Sequence, residues 1–414
     1  MLTQRQSYAL VASVIALSLI SSGTPSPLYE TYRELWGFSP AILTLVYATY
    51  AFGVLASLLL TGSVSDRVGR RPVLLVSLGV LMGTTVIFMA AGSLGWLFVA
   101  RGIQGVATGL AIGAASAALL DLHPRHDPAS AGLTNGVVSA GGMGIGVLMS
   151  AALVELAPAP RVLPYVAVLI LFAIAFAGAL RMREPVQDRR PLSLTPQRPS
   201  VPPEVRRTFF LSALGVLSSW GIGGLFLSLG PQLSATLFHT DNHLVAGVGI
   251  FVLAGSGAAA QLLFGRTPPW LGASAGSVAL AVGLLLIVTS AAEDSPALFL
   301  TGGVIGGAGF GVAFLGALRT LSAAIPPQHR AEVMSALYVV AYAALSLPAI
   351  AAGILVTPWG LIDTFEVFGT VVAVLALVVV FEAWRTRPRA AVEAQSESSR
   401  GIVATARASV GEQP

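Results

Sequence analysis

Glu184-Pro-Val-Gln-Asp-Arg-Arg-Pro-Leu-Ser-Leu-Thr-Pro-Gln-Arg-Pro-Ser-Val-Pro-Pro-Glu-Val-Arg-Arg207 divides two long apolar territories. Proline and arginine dominate it, and no run within it is apolar enough to cross a bilayer, so it reads as a solvent-exposed linker. A spanning helix needs about 20 mostly apolar residues at about 1.5 Å of rise each. Before the linker, such runs lie near residues 7–29, 39–64, 72–92, 96–121, 129–156 and 162–182; after it, near 208–230, 243–265, 269–291, 296–322, 329–356 and 361–384. The expectation is an all-α membrane protein of about 12 transmembrane helices in two six-helix halves, 1–183 and 208–384. The linker 184–207 lies between them, and a polar tail, 385–414, is expected to be disordered.

Composition agrees. The chain is 55% hydrophobic and 10% charged, whereas a soluble domain is roughly 25% charged, so an ordinary water-facing surface is excluded. No cysteine is present, which removes disulfides and thiolate metal sites; neither a metal nor a cofactor is expected. All 23 basic residues are arginine, and the net charge is only +4. They sit between apolar runs as orientation signals, not as a nucleic-acid surface. Nineteen of them fall in segments that share one side if both termini are cytoplasmic, against Arg33 and Arg161 on the other. A multi-pass protein of the inner (plasma) membrane with both ends inside is therefore expected. Thr24-Pro25-Ser26-Pro27 follows the first run in place of an Ala-x-Ala site, so that run reads as a spanning helix and not as a cleaved signal.

Ser39-Pro40, Asp127-Pro128 and Ser295-Pro296 each set a capping side chain before a proline, a helix-start signature. An internal echo links the halves: Gly105, Gly109 and Pro124 correspond to Gly307, Gly311 and Pro326 at a constant offset of 202. Parallel duplications of this kind occur in secondary transporters that bind substrate between their halves.

The most specific motif is Gly62-Ser-Val-Ser-Asp66-Arg67-Val-Gly69-Arg70-Arg71-Pro72, in the turn after the second run. Its glycines allow close approach and a tight turn. Asp66 beside three arginines can hold one packing of the helix ends through charge-assisted bonds. The motif resembles the signature loop of the major facilitator superfamily, G-x-x-x-D-R-x-G-R-[RK], at every fixed position. That resemblance implies a conformational latch of Gly62, Asp66, Arg67, Gly69, Arg70 and Arg71, joined by Asp121 at the end of the fourth helix. The second-half counterpart, around Gly265-Arg266, has no aspartate.

Arg101-Gly-Ile-Gln104-Gly105 is similar to that family's R-x-x-Q-G pattern. A buried membrane arginine is costly and faces water or a partner, so Arg101 and Gln104 are expected at the cavity, tuning a protonation site or meeting an anionic group. Gly105 and Gly109, with Gly142 and Gly146 in the fifth run, fit close helix packing. That fifth run resembles the antiporter glycine element, except that Val147 stands where its proline is expected. Thr24–Tyr29, Leu229-Gly230-Pro231 and Ala341–Pro348 resemble bacterial drug/proton antiporter-like members.

Without lysine no Gly-x-x-x-x-Gly-Lys loop exists, so an ion gradient, with protons the expected partner, is the remaining common drive. Acids lie only near helix ends (Glu30, Asp121, Glu155, Asp363, Glu366, Glu382). Glu30 is chosen because the resemblance places a protonatable acid on helix one. Tyr47, Tyr50, Asn135, Trp220, Gln232, Tyr338 and Tyr342 are the expected cavity lining, suited to a lipophilic small molecule. Proton-coupled efflux of a hydrophobic drug-like compound by a monomer in lipid is the leading expectation. The alternatives are an uptake symporter or uniporter for a metabolite and, in other classes, a polytopic membrane enzyme or a transporter-like sensor.

Overall fold

The computed structural model describes residues 1–62, 64–186, 191 and 196–385. In chain order its helices are α1 Gln4–Gly23, α2 Tyr29–Trp36, α3 Pro40–Thr61, α4 Val64–Val68, α5 Arg70–Met89, α6 Leu94–Leu122, α7 Pro128–Leu156 and α8 Leu163–Arg181. A 3-10 turn, Pro203–Val205, then leads into α9 Arg206–Leu237, α10 His243–Phe264, α11 Pro269–Ala292, α12 Pro296–Ala324, α13 Arg330–Trp359 and α14 Leu361–Arg385. All but the short α2 and α4 are long and apolar enough to cross a membrane, 12 helices in total, and no strand occurs among the described residues. Large apolar side chains such as Val76, Ile170, Ile174, Leu263, Val371 and Phe381 stand fully outward. Water would penalise that surface; hydrocarbon does not.

Ser39, Asp127 and Ser295 accept backbone N–H groups at the starts of α3, α7 and α12, each with proline in the first turn. Two boundaries differ from expectation, both because of proline. The first helix ends at Gly23, not near 29, because Pro25 and Pro27 cannot continue the ladder; the chain turns into α2, a separate short helix. The seventh spanning helix does not stop at 230 but runs through Pro231 to Leu237. Pro231 deprives the Leu227 carbonyl of its helical donor, and the Ser26 hydroxyl replaces it at 2.8 Å. The polar tail beyond residue 385 and linker residues 187–190 and 192–195 lie outside the described residues.

Helices α1 and α3–α8 pack among themselves, as do α9–α14; α3 against α13 and α7 against α10 join the two sets. Their apolar cores reveal the shape. One cluster draws on both sets: Tyr29, Val46, Tyr50, Phe88, Val147, Leu225, Leu233, Ile250, Leu345 and Val356 among others. It occupies the end where α3 begins, hereafter the far end. At the opposite or linker end each set has its own core: Val14, Leu74, Ala115 and Phe172 in one, Val216, Leu321, Val333 and Leu337 in the other. The halves share one apolar core at the far end and keep separate cores toward the linker end, where α7 and α10 still touch at Gly136–Gln261 and Leu133–Gly265.

The sequence echo reappears as packing. A Cβ at Gly105 would run into the Tyr50 carbonyl of α3, and one at Gly109 would lie 2.9 Å from the Val54 carbonyl. Gly307 and Gly311 meet the backbone of α10 at Leu253 and Gly257 in the same way. Gly142 and Gly146 lie against the α1 backbone at Ala16 and Ile20. Gly113, four residues beyond Gly109, has only Leu58 at 3.9 Å. Gly105→Ala is therefore expected to destabilise the protein by about 1–3 kcal/mol through overpacking, read as a lower Tm in detergent. Gly113→Ala should leave Tm unchanged or raise it.

Candidate functional site

At the linker end α3 closes on Gly62, α4 occupies a single turn, and α5 starts at Arg70 after Gly69, whose φ of 111° only glycine adopts readily. Arg70 is the hub. Its Nε donates to Asp121 Oδ2 at 2.9 Å and its Nη1 to Ser65 Oγ at 2.8 Å, and it also pairs with Asp66. The Arg70 side chain is 9% exposed, against 33% for Asp121 and 60% for Asp66. The α6 carboxylate is thus the less water-exposed of the two acids on the hub. Arg71 turns away and caps α8, donating to the Ala179 and Leu180 carbonyls at 3.0 and 2.5 Å. Arg67 is half-buried on α4.

Sequence reasoning missed Glu184 here. Its carboxylate accepts the Arg70 and Arg71 backbone N–H groups at 2.8 and 3.0 Å, capping α5 from 114 and 113 residues away. Glycine offers no capping side chain at position 69, so those N–H groups needed an outside acceptor; that was the available signal. Gln197 was also missed. Its N–H donates to the Leu59 carbonyl of α3 (2.8 Å), and its Oε1 accepts from Ser335 of α13 (2.6 Å). The linker read as free in solvent thus straps the halves together at this residue. In the second half, Arg319 caps the α10–α11 turn through the Gly265 and Thr267 carbonyls (2.6 and 3.2 Å), with carbonyl acceptors where the first half uses acids.

Arg101 lies seven residues into α6, about 10 Å from the far end at helical rise, and it is fully buried. Its Nε donates to Tyr29 Oη at 2.7 Å, and its Nη1 donates to Gln104 Oε1 at 2.7 Å and the Ser22 carbonyl at 3.1 Å. The rings of Tyr29, Tyr50 and Phe88 surround it at 5.3, 5.4 and 5.9 Å. Gln104, one turn along the same face, donates to the Ser21 carbonyl and hydroxyl, both at 2.9 Å. These carbonyls are available for a local reason. Pro25 has no N–H to offer Ser21, and the Ser26 N–H bonds to Gly23 and not to Ser22. Burial raises the Tyr29 phenol above the ordinary tyrosine range, with Arg101 pulling it down, so the cation rests on neutral groups. No carboxylate among the described residues lies within ion-pair distance of Arg101.

Five of the expected lining residues come together where the shared core gives way to the two separate ones. Trp220 packs against both clusters and meets Tyr342 edge-on at 5.2 Å and Phe314 at 5.5 Å. Tyr47, Tyr50 and Tyr338 are the electrostatic neighbours of Tyr342. The indole Nε1 is buried with no acceptor among the described residues. The other candidates lie elsewhere. Asn135 bonds to Ser116 (2.9 Å) and Ser139 (3.3 Å) inside the first half, and Gln232 is half-buried on the far-end portion of α9. Glu30 is paired with Arg33 on α2, 39% exposed, and does not enter the Arg101 network. That pairing holds the Arg33 guanidinium above its ordinary range.

A sequence model described as the Major Facilitator Superfamily matches residues 11–300. The chain belongs to that superfamily. It is thus a multi-pass membrane protein of a transporter family, not an enzyme, and its superfamily partners are small-molecule substrates. Two relatives sharpen the comparison. The crystal structure of the human organic anion transporter MFSD10 (TETRAN) superimposes with a TM-score of 0.64 over 92% of this chain and all of that one, at 18% identity, and so shares the fold. Multidrug resistance protein D of Escherichia coli (strain K12) is 40% identical over 65 residues, 16% of this chain. The chain spans 16% of that protein's length in this match.

The exposure difference at the Arg70 hub gives an ordering. Asp121→Asn is expected to reduce solute flux at least as much as Asp66→Asn, and both proteins should reach the membrane in normal amounts. Flux in proteoliposomes, normalised to inserted protein, checks it; full activity of Asp121→Asn would remove the α6 carboxylate from the hub.

Proposed function

We propose that this superfamily member is a secondary active transporter that works by alternating access and exports a hydrophobic, drug-like small molecule against a proton gradient. The observation that carries the reading is the single apolar core shared by both halves at the far end, with separate cores at the other. Two bundles joined in this way can rock about their interface and trade one closed end for the other. The arginine distribution supports a cytoplasmic linker end and inner-membrane residence with both termini inside. A cavity in this conformation would then face the cytoplasm, the side from which an exporter loads. The match to Multidrug resistance protein D supports drug efflux, over its short span.

We assign the latch role to Arg70 with Asp66 and Asp121, whose bonds tie α4, α5 and α6 together at the linker end of the first half. Three hydrogen bonds join the halves at the far end. Ser26 Oγ donates to the Leu227 carbonyl, and Glu155 Oε2 accepts the backbone and imidazole nitrogens of His243 at 2.9 and 3.2 Å. For proton coupling, Glu30 is the acid to test, because it adjoins Tyr29, the partner of Arg101. A uniporter is the second reading, favoured by the distance of every described carboxylate from the middle of the spans.

A dye-efflux assay separates the two: export that collapses on adding an uncoupler, and that Glu30→Gln makes insensitive to it, supports antiport, whereas uncoupler-independent movement removes it. Ser26→Ala deletes one bond specific to the far-end-closed state. With a net value of about 0.5–1.5 kcal/mol, its loss should shift the population severalfold toward far-end-open. Spin-label distances across the far end measure that shift, and an unchanged distribution would exclude Ser26 from the gate.

A further inference from the structure

The membrane interior of this protein is electrostatically lopsided. Arg101 is buried deep in a span, and the described carboxylates sit at or near helix ends: Asp121 and Glu155 are the penultimate residues of α6 and α7, and Asp363 and Glu366 lie in the opening turns of α14. The groups that bond to it supply only partial negative charge. The C-terminal carbonyls of α1 face the guanidinium through Ser22, and a helix C-terminus carries roughly half a charge. Water does not touch the charge directly, because Arg101 has no exposed surface. Tyr50 links Arg101 in space to the interface: its ring lies 5.4 Å from the guanidinium carbon, and it shares an apolar cluster with Tyr47, Trp220, Tyr338 and Tyr342 where the halves meet. At that same place Trp220 presents an N–H donor that has no acceptor.

We infer that the site between the halves selects an aromatic amphiphile bearing an anionic, hydrogen-bond-accepting group and discriminates against cations. The rings of Trp220 and Tyr342 receive the apolar body, the indole N–H receives an oxygen of the acid group, and the Arg101 field sets the preferred sign of charge. This rests on the reading of the aromatic group as the substrate site and names the class of molecule it takes. About half a charge acting over ~10 Å at an effective dielectric of ~20 favours an anion over the matching cation on the order of tenfold.

Binding, read separately from transport, tests the inference. Purified full-length protein in nanodiscs of uncharged lipid is titrated with three naphthalene probes: 1-anilinonaphthalene-8-sulfonate, neutral N-phenyl-1-naphthylamine, and the cation N,N,N-trimethyl-1-naphthylammonium. The wild-type protein is expected to bind the sulfonate severalfold more tightly than the neutral probe and about tenfold more tightly than the cation. Arg101→Met should flatten the series, and Arg101→Lys should keep it. Trp220→Phe should weaken the sulfonate while sparing the neutral probe. Equal or reversed affinities in the wild-type protein overturn the inference whether or not any variant folds, as does a series unchanged in folded Arg101→Met. Because the readout is equilibrium binding, loss of proton-coupled efflux in the flux assay leaves this result standing. Sulfonate binding that persists when Trp220 and Tyr342 are both replaced by alanine would place the probe elsewhere and overturn the site itself.

Discussion

A chain in hydrocarbon must satisfy its backbone polar groups from within, because no water is available to them. Proline within or just after a spanning helix breaks that closure by withholding one N–H. In this protein the broken places are where the distant parts join. Pro25 frees the carbonyl of Ser21, which Gln104 takes, and the neighbouring Ser22 carbonyl goes to Arg101. Pro231 frees the carbonyl of Leu227, which Ser26 takes from the other half. A helix without these prolines would offer no such acceptors, and the buried arginine and the far-end contact would both lack their partners.

The same economy explains the position of charge. Arg101 is tolerated at depth because four of its donor contacts are made to hydroxyl, amide and carbonyl oxygens and three rings face it. Neutral partners relieve desolvation without cancelling the charge, so a long-range field persists where a carboxylate partner would have quenched it. At the linker end the opposite holds: Arg70 meets two carboxylates near the water boundary, where ion pairs can form and part at moderate cost. One arginine is held by neutral groups at depth, the other by carboxylates near the boundary.

Packing between helices is set by what is missing. Gly105 and Gly109 on α6, and Gly307 and Gly311 on α12, bring backbones together where any side chain would collide. The repeat therefore conserves contact, α6 on α3 and α12 on α10, more faithfully than it conserves side chains. It does not conserve the charge cluster: Arg319 binds carbonyls where Arg70 binds acids. The α10–α11 turn of the second half thus has carbonyl acceptors where the first half has a pair of carboxylates.

Twelve helices and the starts at Ser39, Asp127 and Ser295 were legible in the sequence, because helix length and capping depend on local composition. The Arg70 cluster and the Arg101–Gln104 pair were also visible, as motifs with fixed local spacing. What the chain order concealed were contacts made across more than a hundred residues. Glu184 and Gln197 looked like solvated linker residues, yet one caps α5 and the other bridges α3 and α13. Asn135 and Gln232 looked like lining residues; Asn135 bonds to Ser116 and Ser139 of its own half, and Gln232 lies on the far-end portion of α9. Glu30 was read as an acid on the first spanning helix, yet it lies on the separate helix α2, paired with Arg33. The reason is physical: a sequence states which groups need partners, while only the packed helices decide which groups are close enough to supply them.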